Sequence, residues 1–396
     1  MEGADTAVLS VQEVLALIRE HVPPLSPRPV LLEEARGLRL RQEVVSEKDE
    51  PPFHRSAMDG FAISLREQAR DFVIGGEILP GDPPPPAIPR GATLRVFTGS
   101  ALPEGAGVFK QEDVRESDGK IRALEDSVCG FVRRQGSIAR AGDVLVPPAT
   151  LLGPAELAVL AANGTTQPLV TPRPRVAHLT TGREIVSIGQ VPTPGQIRNA
   201  NATLIRELVT QCGATLSGQA HAEESIPAAL AACSQPEFST ADVFVVSGGS
   251  SHGKYDRTRA LFQELGFTTL CEAVNCRPGK PFLFATRDSQ VAVGLPGNPI
   301  SHFVTFHLFV RKILQRMAEG VPRPPERMRL SEGAQITRDA RETFWPARLL
   351  DKGGVCALPW LDSGHLAALM GVNALLHVPA RSLPRPGELV EVIPTG

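Results

Sequence analysis

In "VLALIREHV" apolar residues return every three or four positions, and Ser10 followed by Glu13 supplies a capping box, so the spacing predicts an amphipathic helix over residues 11–22. Pro23-Pro24 ends it. "RPVLLEEARGLRLRQEVV" then predicts a short helix and a strand leading into "EKDEPPFHRSAMDGFAI". From about residue 70 to 147 the pattern shortens to β-like segments broken by turns, among them "DFVIGGEI", "ATLRVFTGS" and "GDVLVPP", which predicts a small all-β domain. The run Pro83 to Pro86 reads as a stiff loop or linker within it. "GPAELAVLAANG", Gly153 to Gly164, has Pro at its first turn and Gly past its end, and returns the chain to helix. A β domain inserted into a helical one is the simplest account.

Between residues 173 and 320 strand and helix patterns alternate: "RVAHLTTG", "ANATLIRELVTQCG", "DVFVVSGG", "YDRTRALFQELG", "QVAVGLPG" and "ISHFVTFHLFVRKILQRM". That alternation predicts a mostly parallel sheet wrapped by helices. "EGVPRPPERM" reads as a Pro-rich linker, and residues 327–396 as short strands of a further small β domain.

At 396 residues the chain is too long for one ordinary core, which agrees with several domains. A formal charge of −2 gives no support for nucleic acid or a membrane surface as partner. The six cysteines, at 129, 212, 233, 271, 276 and 356, form no C-x-x-C pair and fit reduced thiols better than a disulfide frame or a zinc site. "MEGADTAVLSVQEVL" has no leader pattern and no run of eighteen apolar residues occurs, so a cytoplasmic location is expected.

In open α/β sheets the ligand crevice lies beyond the carboxyl ends of the strands. Three loops fall there: "TTGRE" (180–184), "SGGSSHGKYD" (247–256) and "GLPGNPIS" (294–301). Each sets small or hydroxyl residues before a helix or turn, where unpaired backbone N–H groups can hold an anion. Ser247, Gly248, Gly249, Pro296, Gly297, Asn298 and Ser301 are the candidate binding residues, expected to converge on one crevice. The plainer alternative for the 294–301 corner is a tight strand-to-helix turn without a ligand. "CRPGKPF" adds Arg277 and Lys280 on a rigid turn, a natural clamp for an oxyanion. Glu184, Asp242 and Asp256 are carboxylates expected near the same strand ends, and hard oxygen ligands beside phosphate suggest Mg²⁺. Asp256 could equally cap the helix that follows it. No nucleophile elbow, Walker loop or G-x-G-x-x-G fingerprint occurs, so covalent catalysis and dinucleotide binding have no support.

The blocks "PPFHRSAMDGFA", "RVFTGSALPEGAGVFKQED", "TTGREIV" with "GQIRNANATLI", "VVSGGSSHGKYD", "RPGKPFLF", "GLPGNPISHFVTF" and "SGHLAALMGVNALL" resemble, in order, the molybdopterin molybdenumtransferase family, the molybdenum insertases to which the catalytic half of gephyrin is related. The resemblance implies an α/β and β multidomain fold: an extended first domain (1–50 and 148–172) interrupted by a β domain (51–147), an α/β molybdopterin-binding-like domain (173–322) and a C-terminal β-barrel-like domain (323–396). It implies an elongated homodimer that takes adenylyl-molybdopterin and molybdate, with Mg²⁺, and releases AMP, alongside other proteins of molybdenum cofactor biosynthesis. On that resemblance Asp59, Thr98, Glu184, Asp242 and Asp256 are catalytic, Glu184 and Asp256 hold the metal, and Arg341 and Ser363 join Lys280 as oxyanion-binding residues.

The departures from the family pattern lean one way. His54 and Arg55 stand in "PPFHRSAMDG", Arg183 in "TGRE", Lys254 in "GKYD", Ser137 and Ile138 in "GSIA", and Asn199 where an Asp is common; Arg277 replaces a Lys. Fewer acids weaken a metal site and more cations strengthen an anion site, so a weakly active paralogue that binds pterin, an oxyanion or a scaffold partner is the alternative reading. Tungstate, nearly equal to molybdate in size and charge, is a third reading of the oxyanion.

Overall fold

The computed structural model describes residues 8–223, 225–248, 255–320, 324–333, 335–351 and 353–396, with the backbone alone for Tyr255 and Asp256. The chain divides into two compact units. One holds the residues up to Arg28, Gly37–Arg39 and Val170–Gly396; the other holds Pro29–Arg36 and Leu40–Leu169.

The second unit is built on a six-stranded sheet in the order Ala106–Lys110, Gly60–Ser64, Ala92–Val96, Asp71–Ile78, Lys120–Ala123, Val114–Ser117. Side chains alternate faces along a strand. Ala62 and Val108 accordingly join Ile78, Ile88 and Val96 in one cluster, while Phe61, Ile63 and Phe109 join Phe72 and Ile121 in another. The helix Pro154–Ala162 starts where Glu156 Oε2 reaches back to the Gly153 N–H at 3.0 Å. The helix expected in "LLEEARG" is one 3₁₀ turn, Leu32–Glu34. Gly37, at φ +75°, follows within a few residues, and a segment this short cannot repay helix nucleation.

In the first unit the capping box at Ser10 is formed from both sides, and the helix runs Val11–His21. The central sheet has six strands in the order Thr215–Ala222, Arg175–Thr181, Val243–Ser247, Gln290–Leu295, Pro281–Arg287, Thr268–Ala273. The first four are parallel neighbours and Pro281–Arg287 runs against them. Both faces are covered, so the strands read as nearly continuous apolar runs. Val243 and Val245 pack with Phe306 and Phe309 on one face, Phe244 and Val246 with Leu261 and Phe262 on the other.

The expected long helix after the corner is helical from Pro299 to Met317, but Phe306–Val310 is a π-helical turn between the α segments Pro299–Thr305 and Arg311–Met317. His307 lies in that turn, 1% exposed, and neither ring nitrogen has a hydrogen-bond partner. Between two strands of the central sheet, Cys276–Arg277 pairs in parallel with Glu342–Leu349. The latter belongs to a second sheet with Ala374–Val378, Leu389–Pro394, Glu326–Arg329 and Val355–Ala357. A bridge between Leu330 and Val355 brings its two ends together.

Candidate functional site

Because Arg175–Thr181, Val243–Ser247 and Gln290–Leu295 are adjacent and parallel, their carboxyl ends deliver Thr181–Glu184, Ser247–Gly248 and Pro296–Ser301 side by side. The three loops converge as the strand order requires. The approach is close: a Cβ on Gly248, at φ +140°, would lie 2.4 Å from both the backbone oxygen and Oγ1 of Thr181. Gly182, at φ +143°, has the Glu184 carboxylate folded over it, with Oε2 2.8 Å from where a Cβ would stand. Among the described residues nothing hydrogen-bonds to that carboxylate. Gly249 and Lys254 lie outside the described residues, as does the Asp256 side chain.

Asp242 is not at this end. It precedes Val243, at the amino end of its strand, where Oδ2 accepts the Arg175 N–H at 2.7 Å and its backbone oxygen accepts from Val291 N. Burial raises its pKa against the opposing pull of the Arg175 N–H. The expectation that Asp242 joins Glu184 is therefore corrected. A strand of about five residues at ~3.3 Å each separates the two ends of the sheet, and Asp242 does its work as a cap on a neighbouring strand.

Beneath the loops runs a polar stripe. His178 pairs in register with Gln219 on one side and Val245 on the other, and Thr180 with Ser247. His178 Nε2 lies 2.6 Å from Ser247 Oγ, and Gln219 Nε2 2.9 Å from His178 Nδ1. The His302 ring sits 6.4 Å from that of His178 and places Nδ1 3.1 Å from the Pro296 carbonyl. Burial holds both imidazoles neutral, His302 at about 4 and His178 well below the ordinary range. Asn201 Nδ2 donates to the Gly297 carbonyl at 2.7 Å, so two consecutive carbonyls of the corner are tied down from below. Ser301 is buried in the first turn of its helix.

Ser363 belongs to this corner. Its Oγ accepts from Asn298 Nδ2 at 2.7 Å and its carbonyl from Ile300 N at 3.0 Å. Arg341 pairs with Asp339, whose Oδ1 accepts from the Arg341 backbone N at 2.9 Å and Nε at 3.2 Å. Asp339 Oδ2 also holds Arg277 Nη1 at 2.9 Å. Burial pushes the Asp339 carboxyl up, but the Arg341 N–H and the two guanidiniums outweigh it and hold it at about 2. The clamp expected of Arg277 and Lys280 is thus divided: Arg277 shares a carboxylate with Arg341, while Lys280 is exposed and makes no ion pair among the described residues.

In the other unit Asp59 and Thr98 are partners. Asp59 Oδ1 accepts from the Thr98 N–H at 2.7 Å and from its hydroxyl at 2.9 Å, and these bonds lower its pKa.

The comparisons with known proteins decide the family. Residues 9–164 match the MoeA N-terminal region (domain I and II), and residues 177–316 a probable molybdopterin binding domain. The molybdopterin molybdenumtransferase of Nostoc sp. is 34% identical over 79% of this chain and 75% of its own. That of Synechococcus elongatus is 31% identical over 92% and 93%. The chain belongs to the molybdopterin molybdenumtransferase family. Two crystal structures of molybdopterin biosynthesis MoeA protein from Pyrococcus horikoshii superpose with TM-scores of 0.79 and 0.72, at 25% and 24% identity, each over 98% of this chain and 100% of that chain. The fold is the mixed α/β multidomain fold of MoeA.

Set against the family pattern, Asn199 has a structural use: Oδ1 caps Ala202 N at 3.1 Å to start Ala200–Gln211, and Nδ2 donates to Thr180 Oγ1 at 2.9 Å. His54 Nδ1 accepts from the Gln135 N–H at 3.0 Å, and Arg55 lies 3.8 Å from Glu50. Arg183 is exposed. All six cysteines are free, and burial pushes Cys129, Cys212 and Cys233 up to about 11 and Cys271 and Cys276 to about 12, which disarms them as nucleophiles. Among the described residues no three His, Cys, Asp or Glu side chains gather as a metal site. Among the described residues no helix is long and apolar enough to cross a membrane. The residues missed from sequence are Asp339, His178, Gln219, Asn201 and His302. The polar His178 inside an apolar strand pattern was the signal available.

Proposed function

We propose that this protein inserts molybdenum from molybdate into adenylyl-molybdopterin with release of AMP, aided by Mg²⁺. The observation that carries the reading is the gathering of Glu184, Ser247–Gly248 and the Pro296–Ser301 corner at the carboxyl ends of three adjacent parallel strands, in a chain related to transferases of that name over most of its length. Backbone N–H groups at the corner, the Ser247 hydroxyl and the Lys280 ammonium are suited to anionic oxygens, and fixed donors of this kind position a reaction that needs no protein nucleophile. The Glu184 carboxylate, folded over Gly182 without a hydrogen-bond donor among the described residues, fits a hard cation as one oxygen ligand, and Asp256 and substrate oxygens would complete the set. The cation would neutralise charge at the phosphoanhydride. Asp59 and Thr98 would close the cleft of the partner subunit in a homodimer, and a cytoplasmic setting with other proteins of the same biosynthesis follows from this reading.

A second reading has an observation of its own. With Asp242 at the opposite end of the sheet, the crevice lacks one of the carboxylates expected beside Glu184, which favours a paralogue that binds pterin phosphate or oxyanion and turns over poorly. One experiment separates the two. Wild type and Glu184→Ala are mixed with adenylyl-molybdopterin, molybdate and Mg²⁺, and AMP is measured. Mg²⁺-dependent AMP release lost in Glu184→Ala supports the transferase. Tight pterin binding without AMP from either protein supports the binding paralogue. Tungstate in place of molybdate tests the oxyanion.

A further inference from the structure

The hydrogen bonds below Ser247 have a fixed direction. Arg206 Nη2 donates to Gln219 Oε1 at 2.8 Å, which identifies the oxygen end of that amide. Gln219 Nε2 then donates to the Ala202 carbonyl at 2.8 Å and to His178 Nδ1 at 2.9 Å. Turning the amide over would set two donors against each other at Arg206 and two oxygens against each other at Ala202. An Nδ1 that accepts carries no hydrogen, so the neutral ring has its proton on Nε2 and gives it to Ser247 Oγ at 2.6 Å. Ser247 already accepts, and its own O–H is left to donate. Ser247 is the last residue of its strand and 3% exposed, at the crevice end of the sheet. His178 is fully buried, where burial and the neighbouring His302 keep it neutral, so the direction of the chain holds at any ordinary pH.

We propose that His178 is a positioning residue: through Gln219 and Arg206 it fixes the Ser247 hydroxyl as a hydrogen-bond donor to an anionic oxygen of the bound pterin nucleotide. The inference rests on the function proposed above.

Adenylyl-molybdopterin is titrated calorimetrically into wild type, His178→Val, Ser247→Ala, the double variant and His178→Gln, whose amide N–H takes the place of the imidazole Nε2–H. Each of the first two variants is expected to weaken binding about tenfold or more, the worth of one hydrogen bond to a charged group. The double variant should bind no more weakly than Ser247→Ala, and His178→Gln should recover most of the loss. Binding by His178→Val at wild-type strength, or losses that multiply in the double variant, overturns the proposal. Should His178→Val not fold, ¹⁵N NMR of wild type decides: the Nε2–H tautomer is expected, and the Nδ1–H tautomer refutes the chain. A wild-type protein that takes up no pterin nucleotide refutes the proposed function instead, and the same proteins titrated with molybdate alone then decide the role of His178.

Discussion

Three buried neutral histidines make this fold sensitive to mild acid. His178, His302 and His307 are each no more than 1% exposed, and burial lowers all three, His302 to about 4 and His307 to about 3. In the unfolded chain each returns to about 6.5, so between about pH 6 and 5 each takes up a proton on unfolding and none on folding. The sign follows: a lowered folded pKa gives stability that is complete above about pH 6.5 and drains as the pH falls. Three protons at ~1.36 kcal/mol per pH unit amount to about 4 kcal/mol over one pH unit, a large share of the 5–15 kcal/mol that holds an ordinary domain. His377 works the other way, since Glu342 and Glu391 outweigh its burial and raise it, but below about pH 6 it is charged in both states and drops out. Urea unfolding of the unit containing these residues, followed at closely spaced pH values, gives the proton uptake directly from the slope. His307→Leu, which also removes two unpartnered buried nitrogens, should reduce the uptake by about one proton and raise the midpoint at pH 5. An uptake below two protons in wild type, or an unchanged slope in His307→Leu, refutes the reasoning.

A carboxyl held at about 2 instead of 3.8 is stabilised by at most about 2.4 kcal/mol at pH 7, and because the Arg277 and Arg341 side chains are a third exposed, Asp339→Asn should cost about 1–2 kcal/mol in urea unfolding. That difference should shrink as the pH falls from about 4 toward 2, and the variant should bind molybdate more tightly as two guanidiniums are released. Gly248→Ala forces a Cβ against the Thr181 backbone and should lower stability by about 2–4 kcal/mol in thermal unfolding. Gly182→Ala meets the movable end of Glu184, so it should cost about 1 kcal/mol in stability and show itself in weaker Mg²⁺ binding by calorimetry. Glu184→Ala should leave the unfolding midpoint within about 0.5 kcal/mol of wild type and lower Mg²⁺ affinity, because the carboxylate holds no partner among the described residues.

The sequence showed most plainly what depends on local chemistry. The helix at Val11–His21 is written in its capping box, and the parallel order is written in strands such as Val243–Ser247 that are apolar on both faces. Three loops meeting at one edge followed from that topology. What the sequence concealed depends on direction and distant pairing. Asp242 was placed with Glu184 because both lie beside a strand in the chain, yet one precedes its strand and the other follows. Arg277 and Arg341 each resembled a free cation until a strand crossing between two sheets set Asp339 beside both. The π-helical turn at Phe306–Val310 was equally hidden, since its apolar residues satisfy a helical pattern in either geometry.

These corrections change which groups can hold an anion. Asp339 spends its charge on Arg277 and Arg341, so three charged groups present a net charge of about +1 rather than two unopposed guanidiniums, and the pull on a phosphate or molybdate weakens accordingly. Among the described residues the donors at the crevice include a strand-end hydroxyl and the N–H groups of a corner whose carbonyls are tied from below by His302 and Asn201. Fixed dipoles of this sort need no reorganisation when charge develops, whereas a flexible cation must be ordered each time. On the function proposed above, such dipoles would orient an adenylated pterin through the backbone. On the same proposal, cleavage of the anhydride would call on the Glu184 carboxylate, so Mg²⁺-dependent AMP release in Glu184→Ala, rather than pterin affinity, separates the transferase from the binding paralogue.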